Sequence, residues 1–141
     1  MTHLCKRALA LILTILLAFD IMPATVFAAQ THYNDTSGHW ASASIERWSD
    51  YGVLSGYAGE LRPDDPITRA EMAAVLQRVG GYPAAGKNPF SDVTADKWYY
   101  SDVLKLAAAG VMTGYGGKAR AEGNITREEA ATLMARGFAL H

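Results

Sequence analysis

Residues 67–76 read Ile-Thr-Arg-Ala-Glu-Met-Ala-Ala-Val-Leu, and residues 125–134 read Ile-Thr-Arg-Glu-Glu-Ala-Ala-Thr-Leu-Met. Thr-x-x-Glu ahead of an apolar run marks a helix start: the threonine oxygen accepts from one free amide of the first turn, and the glutamate reaches back to another. Behind Thr68 and Glu71, the residues Met72, Val75, Leu76 and Val79 stand at i, i+3, i+4 and i+7. Behind Thr126 and Glu129, Ala130, Leu133 and Met134 keep the same spacing. Each stretch predicts an amphipathic helix that buries its apolar stripe.

The two stretches are copies of one unit, offset by 58 residues (127 − 69). At the same offset Trp40 recurs as Trp98, Gly52-Val53 as Gly110-Val111, Gly56-Tyr57 as Gly114-Tyr115, and Arg78 as Arg136. Tyr33-Asn34-Asp35 matches Phe90-Ser91-Asp92 with a shift of one residue. Such self-similarity marks an internal repeat. Each unit also carries an upstream helix. Ala41, Ile45 and Trp48 lead to Gly52, and Tyr99, Val103, Leu106 and Ala107 lead to Gly110, glycine being suited to the left-handed position after a helix. The loops Gly56 to Gly59 and Gly114 to Gly117 are expected to reverse the chain with positive backbone angles. The fold class is therefore all-α: two helix-loop-helix repeats, 29–80 and 90–141, joined by a Gly/Pro/Ala linker at 81–89.

Residues 1–28 read as a secretory signal peptide. Lys6 and Arg7 precede an apolar run from Ala8 to Phe19, and Val26 and Ala28 place the cut after Ala28. The run is too short to span a bilayer, and Asp20 would be costly inside one. An uncleaved anchor over 8–29 is the alternative. The leader also removes Cys5, the single cysteine, so no disulfide scaffold is possible. The chain has 141 residues, 13 basic and 14 acidic, with a formal charge of -1. That length excludes separate cofactor and substrate domains, and that charge gives no reason to expect a nucleic-acid partner.

At the repeated positions the sequence resembles the S-layer homology (SLH) family. The first unit carries Tyr33, Asp35, Trp40, Ile45, Gly52-Val53, Gly56-Tyr57, Arg62-Pro63 and Ile67 to Glu71. The second keeps Phe90, Asp92, Trp98, Gly110-Val111, Gly114-Tyr115, Arg120 and Ile125 to Glu129. The resemblance implies an exported, non-catalytic module at the cell surface. It would bind a secondary cell-wall polysaccharide linked to peptidoglycan, commonly through pyruvate ketals. The family's usual three units form a spindle with grooves between neighbours, and the Arg of Thr-Arg-x-Glu is a ligand contact. This chain has two units, so at least one groove is absent or is completed by another chain. The first loop is one residue short of the family's usual loop, and the second has Ala119 and Ala121 where an aromatic and a proline are usual. Two further readings stand beside anchoring: a structural module that completes the spindle of another SLH chain or self-associates, and the remnant of a longer surface enzyme.

The candidate ligand residues are Arg69, Arg127, Trp40, Trp98, Gly56, Gly114, Tyr57 and Tyr115. Arg69 and Arg127 stand in a first helical turn, where free amides and the helix dipole favour an anion and a guanidinium can grip a carboxylate by two hydrogen bonds. An ordinary surface ion pair is the other reading. Trp40 and Trp98 could stack on a sugar, but their place at a helix start favours burial, and Trp48, paired with Leu106, reads as core. Thr68, Glu71, Thr126 and Glu129 are structural caps. No cofactor, metal or catalytic residue is expected. His32, His39 and His141 do not repeat, and Asp64-Asp65 lacks the spacing of a calcium loop.

Overall fold

A computed structural model of the chain describes residues 32–139. The expected leader, with Cys5 and the cut after Ala28, lies outside the described residues, as does His141. Four helices are present among those described, and no strand: α1 Ser42–Asp50, α2 Arg69–Gly80, α3 Tyr100–Ala108 and α4 Arg127–Gly137. The all-α reading is borne out. None of these helices is long and apolar enough to cross a membrane.

Local chemistry explains the helix limits. At α2 the Thr68 hydroxyl accepts from the Glu71 amide while the Glu71 carboxylate accepts from the Thr68 amide; Thr126 and Glu129 do the same at α4. α1 and α3 each run out into a glycine in the left-handed region, Gly52 at φ 69° and Gly110 at φ 72°. There the Val53 amide returns to the Trp48 carbonyl at 2.8 Å, and the Val111 amide to Leu106 at 2.9 Å. These bonds satisfy the open carbonyls of the last turn.

The helices pack across the repeat boundary. α2 of the first repeat lies on α3 of the second and also touches α4, whereas none of the other described helices packs on α1. Ala70, Ala73 and Leu76 of α2, Val103 and Leu106 of α3, and Leu133 of α4 share one core with Phe90, Val111 and Met112. This corrects the stripe expected on α2. Its most buried residues are Ala70, Ala73, Ala74 and Leu76, while Val79 is exposed. Short alanine side chains let the backbones approach closely, and the larger apolar residues fall to the margin. The tryptophans also depart from expectation. Trp40 is 90% and Trp98 63% exposed, so neither is a core anchor. Leu106 is fully buried under α2, but Trp48, its counterpart on the uncovered α1, is 46% exposed.

The glycine-rich loops repeat in detail. Tyr57 pairs with Glu60 as Tyr115 pairs with Lys118, each by two backbone hydrogen bonds of 2.9–3.1 Å. Positive φ falls on Ala58 and Gly59 in one loop and on Gly116 and Gly117 in the other, not on Gly56 or Gly114. Those two glycines are needed for space instead. A Cβ on Gly114 would stand 2.4 Å from the Lys118 carbonyl oxygen and 2.7 Å from the Phe90 ring. Ala58, at φ 53°, carries strain that Gly116 avoids. Ala58→Gly is expected to stabilise the fold by about 0.5–1 kcal/mol and raise Tm by a few degrees in a thermal melt. An unchanged or lower Tm would show that the loop relieves the strain elsewhere.

Candidate functional site

The site is organised by Arg69. Although it opens a helix, it is only 8% exposed, and its side chain crosses into the second repeat. Nε donates to the Ala119 carbonyl at 2.9 Å, Nη1 to Glu129 Oε1 at 2.9 Å, and Nη2 to the Thr113 carbonyl at 3.3 Å. The backbone follows: the Arg69 amide donates to Gly123, the Ala70 amide to Ala121, and the Ile125 amide returns to Ile67. The amides that sequence reasoning offered to an anion at Arg69 are thus taken by the second repeat. At α4, by contrast, Arg127 is exposed and makes no hydrogen bond through its side chain or amide among the described residues.

Over the Arg69 crossing lies a groove of about 310 Å³, walled by Gly114, Tyr115, Lys118, Arg120 and Arg136. Its lining holds four basic side chains against the acids Glu128 and Glu129, one of which is already paired with Arg69. Arg120 stands 6.0 Å from the centre of the Tyr115 ring, and Arg136 donates to Thr113 Oγ1 at 2.9 Å. An exposed set of guanidinium, ammonium and phenol groups over a neutralised floor suits a carboxylate-bearing ligand.

A carboxylate latch holds the groove's loop. Asp92 accepts from the Ala119 and Arg120 amides, both at 2.8 Å, and Asp35 accepts from Leu61 and Arg62 in the first repeat. Both latches fix an arginine in the left-handed region, Arg120 at φ 53° and Arg62 at φ 56°. Burial pushes the Asp92 carboxyl up, but the Ala119 and Arg120 amides, helped by Lys118, outweigh it and leave it below its ordinary 3.8. Chiefly the Leu61 amide lowers Asp35. Both groups therefore bind protons more weakly folded than unfolded. Their stabilisation is complete above 3.8 and is lost as pH falls through the lowered folded values. Asp92→Ala strands the buried Ala119 amide and is expected to cost about 2 kcal/mol in a urea melt at neutral pH. Repeated in acid, the gap between wild type and variant should close; a constant gap would remove the latch from the account.

The structure divides the remaining candidates. Arg69, Gly114 and Tyr115 come together in the first groove. Trp40 and Trp98 line a second, larger one of about 760 Å³, with Thr68 and Glu71. Gly56, Tyr57 and Arg127 line neither of these two grooves. Sequence reasoning did not assign a site role to Arg120, Arg136, Lys118 or the aspartates. The signal was present, since Arg62 and Arg78 repeat as Arg120 and Arg136 at the common offset and the aspartates recur after an aromatic.

Comparison with known proteins gives a family match, described as S-layer homology domain, over residues 32–73 and 89–131. The Surface-layer 125 kDa protein of Lysinibacillus sphaericus is 32% identical over 89% of this chain and 11% of its own length. Exoglucanase XynX of Acetivibrio thermocellus is 28% identical over 82% of this chain and 11% of its own. Amylopullulanase of Thermoanaerobacterium thermosulfurigenes is 30% identical over 75% of this chain and 6% of its own. The chain spans about a tenth or less of the length of these relatives.

Proposed function

The chain belongs to the S-layer homology domain family, and from that premise we propose that it attaches to the cell wall by binding an anionic, pyruvylated secondary polysaccharide in the groove between its repeats. Domains of this family are cell-wall anchoring modules that bind cell-wall polymers, are found on S-layer proteins and surface enzymes, and are non-catalytic in themselves. The protein is accordingly a cell-surface, cell-wall protein. The observation that carries the proposal is the cluster of Lys118, Arg120 and Arg136 around a floor where Arg69 is already neutralised by Glu129. A ketal carboxylate would accept from the Arg120 and Arg136 guanidiniums, with Tyr115 beside the sugar ring. Wherever the larger groove stands open, the exposed faces of Trp40 and Trp98 offer a further stacking surface for sugars, but the ketal site itself is confined to the smaller groove.

The test is co-sedimentation with purified sacculi, with and without the secondary polysaccharide extracted. Wild type should sediment only with unextracted walls. Because Arg120 and Arg136 are exposed, Arg120→Ala/Arg136→Ala should fold normally yet lose binding by roughly tenfold or more. Removing the ketal from the polysaccharide should weaken wild type and leave the double variant unchanged. Folded wild type that ignores sacculi, or a double variant that binds as well as wild type, would sink the proposal.

A further inference from the structure

The junction between the repeats has two halves, and the chain carries an unused copy of each. In the formed junction, Ala73 and Leu76 of α2 are buried with Leu106 of α3. At the common offset these positions are Ala131 and Met134 on α4 and Trp48 on α1, all exposed. Beside them the polar partners are also open. Arg69 finds the Thr113 and Ala119 carbonyls and Glu129 Oε1; the matching acceptors in the first repeat are the Ser55 and Leu61 carbonyls and Glu71 Oε1. Neither carbonyl accepts a backbone or side-chain hydrogen bond among the described residues, and Glu71 Oε1 has only Arg62, at 3.8 Å. The larger groove is this vacant socket: Ser55, Leu61, Arg62, Glu71 and Arg78 line it where their counterparts line the smaller groove, but no arginine enters as Arg69 does.

We propose that a second copy of this chain fills the socket, inserting its Arg127 between the Ser55 and Leu61 carbonyls and Glu71 while its α4 lies on α1. The backbone supports the fit. By the same offset, the partner's Arg127 and Glu128 amides meet the carbonyls of Asp65 and Pro63, and the Ile67 amide meets the partner's Ile125 carbonyl. Pro63 and Pro66 are harmless there, because the pairing asks no N–H of either position. Charge also matches, a guanidinium with no partner among the described residues facing a carboxylate whose nearest cation among them is 3.8 Å away. Since the two faces differ, the contact is head to tail and either closes into a ring or grows.

The association needs no glycan, so it stands or falls apart from the polysaccharide reading. The test is sedimentation velocity on protein purified from cells expressing the full gene, from micromolar to millimolar concentration. Wild type should rise above the mass of one chain. Arg127→Glu on one face and Trp48→Arg on the other should each weaken association by roughly thirtyfold or more, with helical circular dichroism unchanged. Each variant keeps the face that the other lacks, so a mixture of the two should restore association as a dimer that stops at two chains. Wild type that stays a single copy throughout overturns the proposal, whether the faces then stay bare or take a different protein. So do variants that associate like wild type, or a mixture that fails to pair.

Discussion

Arg69→Ala is expected to lose about 3 kcal/mol of folding stability, a large share of what a domain of this size has to lose. The guanidinium makes three hydrogen bonds into the second repeat, to Ala119, Glu129 and Thr113, from a position nearly sealed from water. Truncation strands the carbonyl of buried Ala119, a group that costs more unpaired than it contributes when paired, while the Thr113 carbonyl and the part-exposed Glu129 carboxylate turn to water. Arg69→Lys should recover little, because a single ammonium cannot meet three acceptors fixed in a guanidinium's plane. Urea titration followed by circular dichroism measures the loss. Arg127→Ala, at the matching but open position, should change the unfolding free energy by less than about 0.5 kcal/mol in dilute protein. Equal losses at both arginines would refute the junction as described. Sacculus binding lost on Arg69→Ala is consequently no proof of ligand contact until folding has been checked.

Leu106→Ala is expected to cost about 3 kcal/mol, and Trp48→Ala, the larger truncation at the equivalent position, less than about 1. Leu106 is fully enclosed by α2 and its neighbours, so its removal leaves a void that close-packed surroundings fill poorly. Trp48 lies on a helix that none of the other described helices covers. Thermal melts of the two variants at low concentration make the comparison directly. A Trp48 variant as damaged as the Leu106 variant would mean that α1 is covered in the lone chain.

The helices were legible because their signals are local. Thr68 with Glu71, Thr126 with Glu129, Gly52 and Gly110 act within a few residues of themselves, and each does what its spacing foretold. The burial of Trp40, Trp48 and Trp98 was misjudged because periodicity says which face of a helix is apolar and nothing about which neighbour covers it. Pairing α2 with the following unit, rather than with α1, is a long-range choice with no local mark. The site shows the same division. Arg69 could be singled out from its helix start, yet its enclosure depends on carbonyls 44 and 50 residues away. Arg120 and Asp92 stood out as repeated positions but drew no site role, because the left-handed backbone that Asp92 holds at Arg120 exists only once the loop is folded.

The crossing of α2 onto α3 has a consequence for the order in which the protein can fold. A chain is made from its N-terminus, so Ala73 and Leu76 emerge well before Leu106, Met112 and Leu133, which complete their surroundings. Through that interval the first repeat is a finished sequence motif without a finished interior. A nick in the irregular stretch 81–90 would likewise part α2 from α3 and leave neither fragment the whole core. What was duplicated as sequence and what folds as a unit are out of phase by half a repeat, and the connecting segment is the piece of chain that keeps the two halves of one nucleus together.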